Sequence, residues 1–133
     1  LVPNEPETAQ LTGMPVDSEE ESRAAARRLL DLGVGDVVLT LGSRGALALA
    51  GTSSGTDDAF TMVPSHKVKA VDPTAAGDAF VAGLYTDLGE GKSLVEAVRF
   101  ANAVGAMAVT KHGAQPGMPT RAEVENLIKR RKP

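Results

Sequence analysis

The chain has 133 residues, a length usual for one domain of about 100–150 residues, with 42% hydrophobic, 23% charged and only 3% aromatic residues. We therefore expect a globular protein with an aliphatic, alanine-rich core. A formal net charge of −3 argues against a nucleic-acid partner, and the absence of cysteine excludes disulfides, a thiolate nucleophile and cysteine-ligated zinc and fits a reducing cytoplasm.

The two ends of the sequence carry no targeting signal that we recognise. No apolar run approaches the roughly 18 residues of a spanning helix, and the start lacks the pattern of a signal peptide. We therefore expect neither membrane insertion nor export. The chain starts at Leu1 rather than Met, and residues 1–4 are typical of the end of a buried strand, so we expect a fragment of a longer protein.

The first half predicts a helix and a set of strands. Ser18 and Glu21 form a capping-box pattern at the start of a helix over 18–32, which ends at Gly33. The apolar run 37–41 predicts a strand that is covered on both faces. The remaining predicted segments are a turn over 42–45, a return strand over 46–50, a glycine-rich hairpin or loop over 51–58, and two further strands over 60–63 and 66–71.

Helices dominate the predicted second half. One opens near Ala76 and runs to about Leu88, and the next extends from Ser93 to about Lys111. The last begins at Thr120 and ends in a basic tail that suits a helix C-terminus. This order indicates the α/β class with a β-meander interior, but not a complete doubly wound domain.

The segment from Val71 to Phe80 leaves a predicted strand and enters a helix. Its small residues Ala75, Ala76 and Gly77 let a ligand approach the backbone, and the amides of a first helical turn bind anions. Asp78 would repel a phosphate there, and a catalytic role would explain its position: it would accept the proton of an attacking hydroxyl. The alternative is an ordinary acid in a first helical turn. The segment is neither a Walker loop nor a dinucleotide motif.

Residues 72–78, Asp-Pro-Thr-Ala-Ala-Gly-Asp, resemble the C-terminal signature of the ribokinase (PfkB-type) carbohydrate kinases. Three other segments agree with that family in order and spacing: Asn4-Glu-Pro-Glu7 followed by Leu-Thr-Gly13, Thr40 to Gly45, and Asn102 to Pro116. They resemble its Asn-x-x-Glu motif, the strand and turn beside its nucleotide, and its adenine-side helix with a cation loop. The resemblance covers nearly the whole chain and implies the C-terminal half of a ribokinase-like three-layer α/β/α fold.

The resemblance also implies roles for individual residues. Asp78 would be the catalytic base that deprotonates a sugar hydroxyl for attack on the γ-phosphate of ATP, with Ala75, Ala76 and Gly77 as the anion hole. Glu7 would act on Mg²⁺ through water. The residues that would border the nucleotide are Asn4, Thr40, Gly42, Ser43, Gly45 and Asn102. A monovalent cation, K⁺, would be held by Asp72 and by the backbone at Thr74, Ala108, Lys111, Gly113 and Gly117, the last standing where the family pattern has a serine.

Simpler interpretations stay open at several of these positions. Asn4 can cap a short helix whose first turn Glu7 completes, and residues 42–45 can form a plain turn. Asn102 can be a packing residue of an apolar helix face. We expect no role for His66 and His112, which we place on the surface or in loops.

The expected function is that of a sugar kinase that uses MgATP, with D-ribose as substrate and ribose 5-phosphate as product. The alternatives are a fructokinase, a 2-dehydro-3-deoxygluconokinase, or a non-catalytic nucleotide-binding module. The family's N-terminal half, which supplies the sugar-binding residues and a β lid, has no counterpart in the chain, so we expect the chain alone to be inactive. The resemblance implies a cytoplasmic, homodimeric parent that binds sugar and ATP and neither nucleic acid nor membranes.

Overall fold

The computed structural model describes residues 1–51, 60–113 and 118–130. Most of the predicted loop over 51–58, the candidate ligand Gly117 and the end of the basic tail lie outside these residues. The chain forms two compact units, Leu1–Val63 and Pro64–Pro133.

Each unit has its own set of elements. The first unit contains α1 (Glu5–Thr12), α2 (Glu19–Asp31), β1 (Asp36–Thr40), a 3₁₀ turn (Gly42–Arg44), β2 (Ala46–Ala50) and β3 (Phe60–Val63). The second unit contains α3 (Ala76–Gly89), α4 (Leu94–Ala108) and α5 (Arg121–Lys129). Among the residues described, no helix is both long enough and apolar enough to cross a membrane.

The three strands form an antiparallel meander in the order β1-β2-β3, as predicted. Residues 1–4 run parallel to β1 at its other edge. The Leu1 carbonyl accepts from the Val38 amide and the Pro3 carbonyl accepts from the Thr40 amide, both at 2.9 Å. This short pairing is strand-like, as predicted, but Leu1 and Asn4 are exposed, so the predicted burial is not observed.

The core of the first unit lies between α2 and one face of the sheet. The side chains of α2 that are buried in it are Ala26 and Leu29. They pack against side chains that alternate along the strands, namely Val37, Leu39, Leu47, Leu49 and Phe60. The period of two along the strands and the apolar stripe on α2 therefore define one common interior.

In the second unit, α3 and α4 pack closely because small residues line their contact. A Cβ atom placed on Gly83 would lie 2.8 Å from Cγ2 of Val104. Helix α5 covers the other side of α4 with its buried residue Val124. A side chain larger than hydrogen at position 83 would force the two helices apart.

Two sequence predictions are wrong in this unit. No strand forms over residues 66–71. At the end of this segment the amides of Val71 and Asp72 both donate to the Val109 carbonyl, at 2.6 and 3.0 Å, and not to a neighbouring strand. Helix α4 ends at Ala108 rather than near Lys111, since the Thr110 amide donates to the Met107 carbonyl in a tighter turn.

Candidate functional site

Two of the predicted nucleotide-site segments lie side by side in the first unit. Asn4 and Thr40 form a parallel bridge although 36 residues separate them, and the Thr40 hydroxyl donates to the Pro3 carbonyl at 3.4 Å. Arg44 in the 3₁₀ turn pairs with Glu5 in α1 at 2.7 Å. The start of α1 and the turn after β1 are therefore joined by backbone and side-chain contacts, and Arg44 is not simply solvated.

Asn4 and Glu7 form a reciprocal capping box at the start of α1. The side-chain oxygen of Asn4 accepts from the Glu7 amide at 2.9 Å, and Oε2 of Glu7 accepts from the Asn4 amide at 2.8 Å. The capping interpretation of this pair is thus observed. The box uses one carboxylate oxygen of Glu7, and because both residues are exposed the other oxygen is available to a water-mediated cation.

The turn at 42–45 depends on its two glycines. Gly42 has φ 59° and Gly45 has φ 107°, values that L side chains rarely adopt. The Gly45 amide donates to the Gly42 carbonyl at 3.1 Å, while Ser43 stays exposed at the tip. The turn therefore presents backbone and one small hydroxyl to solvent, a surface that a nucleotide can approach.

Helix α3 begins differently from the other described helices. A capping box closes the start of α1, α2, α4 and α5, whereas the N-cap residue of α3, Ala75, provides no side-chain cap. In its first turn the Ala76 amide donates to the Pro73 carbonyl at 3.1 Å. Within the described residues, the amides of Ala75, Gly77 and Asp78 have no hydrogen-bond partner.

These free amides lie at the positive end of a helix of 14 residues, which is an arrangement that binds anions. Nothing lies within 4 Å of a Cβ position built on Gly77, so a ligand has open access to the backbone there. Asp78 is exposed in the same turn. The structure therefore brings together the predicted base and the predicted anion hole, although the amide of Ala76 is already bonded.

Asp72 joins the turn before α3 to the loop after α4. Its Oδ1 accepts from the amide and the hydroxyl of Thr74, and its Oδ2 accepts from the Gly113 amide at 2.9 Å. The hydroxyl of Thr74 first, and then the amides of Gly113 and Thr74, lower the pKa of Asp72 to about 2. A carboxylate has about four lone-pair sites, so three of them are occupied and one remains for a cation.

Two other predicted cation ligands lie at the end of α4 and in the loop that follows it. Ala108 is the last residue of α4, and Lys111 lies in the loop with its ammonium 3.4 Å from Glu123 in α5. Sequence reasoning missed Val109, whose carbonyl holds the backbone of Val71 and Asp72. In the described residues no group of three or more histidine or acidic side chains is placed to hold a metal ion, so a cation here would depend on backbone carbonyls.

Asn102 is buried in α4, with 4% of its surface exposed. Its side-chain amide donates to the Pro64 carbonyl at 3.4 Å. The packing interpretation of this residue is therefore observed, and the bond fixes the segment that begins at Pro64 against α4.

The profile of the pfkB family carbohydrate kinases matches residues 1–121. The chain belongs to this family. It is 42% identical over 128 residues to the ribokinase of Haemophilus influenzae, covering 96% of this chain and 40% of that protein. It is also 42% identical over 124 residues to the deoxyribokinase of Salmonella typhi, covering 90% of this chain and 37% of that protein.

Among solved structures, the chain is similar to the ribokinase of Arabidopsis thaliana complexed with ribose and ATP. The TM-score is 0.88 at 36% identity, and the similarity covers 97% of this chain and 40% of that one. The expected ribokinase-like fold is thus confirmed. The chain spans about 40% of the length of the relatives it matches.

Proposed function

We propose that residues 1–133 form the C-terminal, ATP-binding and catalytic portion of a sugar kinase. The sugar-binding half and the lid of that kinase would correspond to the part of the relatives that the chain does not match. The observation that carries this proposal is the uncapped start of α3, where the Asp78 carboxylate shares one turn with three amides that have no partner in the described part of the chain. Membership of a carbohydrate kinase family supports the same chemistry.

In this proposal the first turn of α3 performs the two tasks that phosphoryl transfer asks of a protein. The free amides of Ala75, Gly77 and Asp78 hold the negative oxygens of the transferring group, which ATP supplies. The Asp78 carboxylate accepts the proton of the attacking sugar hydroxyl. Together they explain why an acid lies where a phosphate alone would favour a neutral residue.

The nucleotide is proposed to lie against the joined segments of the first unit. The residues in contact with it would be Asn4, Thr40, Gly42, Ser43 and Gly45, while Asn102 keeps the packing role observed in α4. Glu7 would orient the water shell of Mg²⁺ with the carboxylate oxygen outside the capping box. The adjacency of Asn4 and Thr40 supports a common role for the two segments.

A monovalent cation is proposed to lie beside the anion hole, held by the remaining lone pair of Asp72 and by backbone carbonyls. Those carbonyls would be Thr74, Ala108, Lys111, Gly113 and Gly117. K⁺ suits such a set because it can be coordinated by several neutral carbonyl oxygens. Equal phosphorylation rates in Na⁺ and K⁺ buffers would contradict this assignment.

D-Ribose is the proposed substrate. The relatives nevertheless include a deoxyribokinase at the same identity as a ribokinase, so a panel of ribose, 2-deoxyribose and fructose is the direct test. We also propose a homodimeric parent and, in keeping with the absence of cysteine, a location in the cytoplasm. Sedimentation and cell fractionation test these two statements.

The decisive experiment uses a chimera in which this chain replaces the matching segment of the Haemophilus influenzae ribokinase. ATP-dependent phosphorylation of ribose is measured for the chimera, for Asp78→Asn and for the control Asp31→Asn, an exposed acid at the end of α2. Loss of a general base lowers kcat by about 10²–10⁴-fold, whereas the control should be unchanged.

Three results would separate the possibilities. Full activity of Asp78→Asn would refute the assignment of the base. A folded chimera that binds ATP but phosphorylates no sugar would favour the non-catalytic nucleotide-binding module. Phosphorylation of any sugar by the isolated chain would refute the proposed need for a second half.

A further inference from the structure

Helix α5 has a fixed position on the α3–α4 pair. Its residue Val124 is buried, with 1% of its surface exposed, in the cluster that α5 shares with α4. The guanidinium of Arg121 forms an ion pair with Glu90 at 2.7 Å and lies 5.1 Å from the centre of the Phe100 ring. Apolar burial and these two contacts hold the first turn of α5 in place, so a side chain of that turn can fix a neighbouring segment.

Glu123 is such a side chain. Its Oε2 accepts from the Thr120 amide at 2.7 Å and from the Thr120 hydroxyl at 3.1 Å, while its Oε1 lies 3.4 Å from the Lys111 ammonium. The bonds from Thr120 and the charge of Lys111 lower the pKa of Glu123, so the carboxylate is ionised at neutral pH. Because Thr120 already orients this carboxylate, only Lys111 loses side-chain freedom when the ion pair forms.

The loop that carries Lys111, residues 109–113, also contacts the turn in front of α3. At one end of the loop the Val109 carbonyl accepts from the Asp72 amide at 3.0 Å, and at the other end the Gly113 amide donates to Oδ2 of Asp72 at 2.9 Å. Loop 109–113 is therefore held on two sides, by the first turn of α5 and by the turn that precedes the free amides.

The charge of Lys111 gives the ion pair a second consequence. The proposed monovalent cation would be bound by the backbone of this loop and by Asp72. An ammonium that was free to approach such a cation would repel it. The ion pair with Glu123 neutralises that ammonium and keeps it beside α5.

We propose that Glu123 is a positioning residue for the cation site: through Lys111 it fixes loop 109–113 and neutralises the positive charge that this side chain carries. The inference rests on the proposed function, since it takes the loop as part of the cation site. Glu123 thus has a task beyond closing the capping box of α5. A helix that contacts neither ATP nor sugar in the proposed function would thereby set the affinity for the cation.

The test compares Glu123→Gln with the matched control Glu96→Gln. Glutamine keeps the capping box at both positions, and Glu96 occupies in the box of α4 the place that Glu123 occupies in α5. Hydrogen exchange of the Gly113 amide is followed by NMR in the isolated chain without K⁺. The side chains of the ion pair are 45% and 41% exposed, so its loss should accelerate exchange only about 2–5-fold in Glu123→Gln, and the control should match wild type.

The chimera with the Haemophilus influenzae ribokinase supplies a second measurement. KCl replaces tetramethylammonium chloride at constant ionic strength, which keeps screening unchanged. The K⁺ concentration for half-maximal activation should rise about 2–5-fold in Glu123→Gln, while kcat at saturating K⁺ stays the same. In the background of Lys111→Met, Glu123→Gln should have no further effect on either measurement, because the ion pair is already absent.

Equal exchange of the Gly113 amide in Glu123→Gln and in wild type would overturn the proposal. An effect of Glu123→Gln that persists in the Lys111→Met background would overturn it as well, because it would come from the cap of α5 alone. A wild-type chimera that does not respond to K⁺ would refute the proposed cation site and this inference with it. A wild-type response to K⁺ that Glu123→Gln leaves unchanged would refute this inference alone.

Discussion

Two glycines of α3 allow the proposed anion hole to be tested without disturbing the fold. A Cβ atom added at Gly77 or at Gly89 would meet no other atom within 4 Å, and neither residue needs a positive φ. Gly77 lies in the first turn beside the free amides, and Gly89 is the last residue of the helix. Alanine at either position should therefore be tolerated by the protein, and only Gly77→Ala should obstruct a bound anion.

The two expected effects of Gly77→Ala have opposite signs: the protein becomes more stable, while its binding of ATP becomes weaker. Replacing glycine by alanine at a compatible position stabilises a protein by about 0.4–1 kcal/mol, which raises Tm by about 2–5 °C in a chain of this size. The methyl group of Gly77→Ala would occupy the space through which phosphate oxygens reach the amides. Loss of one charge-assisted hydrogen bond, about 1.5–3 kcal/mol, weakens ATP binding by about 10–150-fold.

Thermal unfolding of the isolated chain measures the first effect, and the KM for ATP of the chimera measures the second. Gly83→Ala is the contrasting variant, because its methyl group would lie 2.8 Å from Val104 and overpacking costs about 1–3 kcal/mol. Gly83→Ala should lower Tm, whereas the other two should raise it. If Gly77→Ala and Gly89→Ala bound ATP equally well, the anion hole would not be at the start of α3.

Three further predictions follow from the same contacts. Hydrogen bonds hold the pKa of Asp72 at about 2, below the ordinary 3.8. The stability they contribute is therefore present above about pH 4 and is lost as pH falls towards 2. The free energies of unfolding of Asp72→Asn and wild type, measured in urea, should differ at neutral pH and converge at about pH 2. Burial raises the pKa of Asp87 despite Arg121 nearby, so ionisation of Asp87 destabilises the fold above that pKa. Asp87→Asn should therefore gain stability relative to wild type as pH rises from about 3 to 7. A difference in unfolding free energy between the two proteins that stays constant over this range would contradict the prediction. Ala75→Ser places a hydroxyl beside the amides of the first turn and should weaken ATP binding by the chimera, because the hydroxyl would compete with the phosphate for an amide. Tighter ATP binding would count against the site.

Local signals in the sequence predicted most of the helices and strands. Ser18 with Glu21 and Thr120 with Glu123 mark helix starts because a side chain and an amide three residues apart satisfy each other without any help from the fold. The antiparallel return strand over 46–50 was equally predictable, since its apolar run follows a glycine turn. Elements stabilised by neighbours in sequence are those that sequence patterns describe well.

Contacts between distant residues were beyond such patterns. The alternation of Val68 and Ala70 with lysines is typical of a strand, yet the Val109 carbonyl takes the amides that end this segment. The bonds of Asp72 to Gly113 and of Arg44 to Glu5 span 41 and 39 residues. The resemblance placed Asp72 beside a cation but did not indicate that its carboxylate also holds two loops together.

The start of α3 is the place where local rules and function disagree. Each of the other described helices gains a reciprocal cap, whereas α3 forgoes one, which costs about 1 kcal/mol of stability. It also carries an acid beside three amides that have no hydrogen-bond partner among the residues the structure describes. Departures of this kind concentrate at sites that bind something. A phosphoryl group at the amides and a sugar hydroxyl at Asp78 would account for both departures at once, which is why α3, rather than the sheet, is the element on which the proposed function depends.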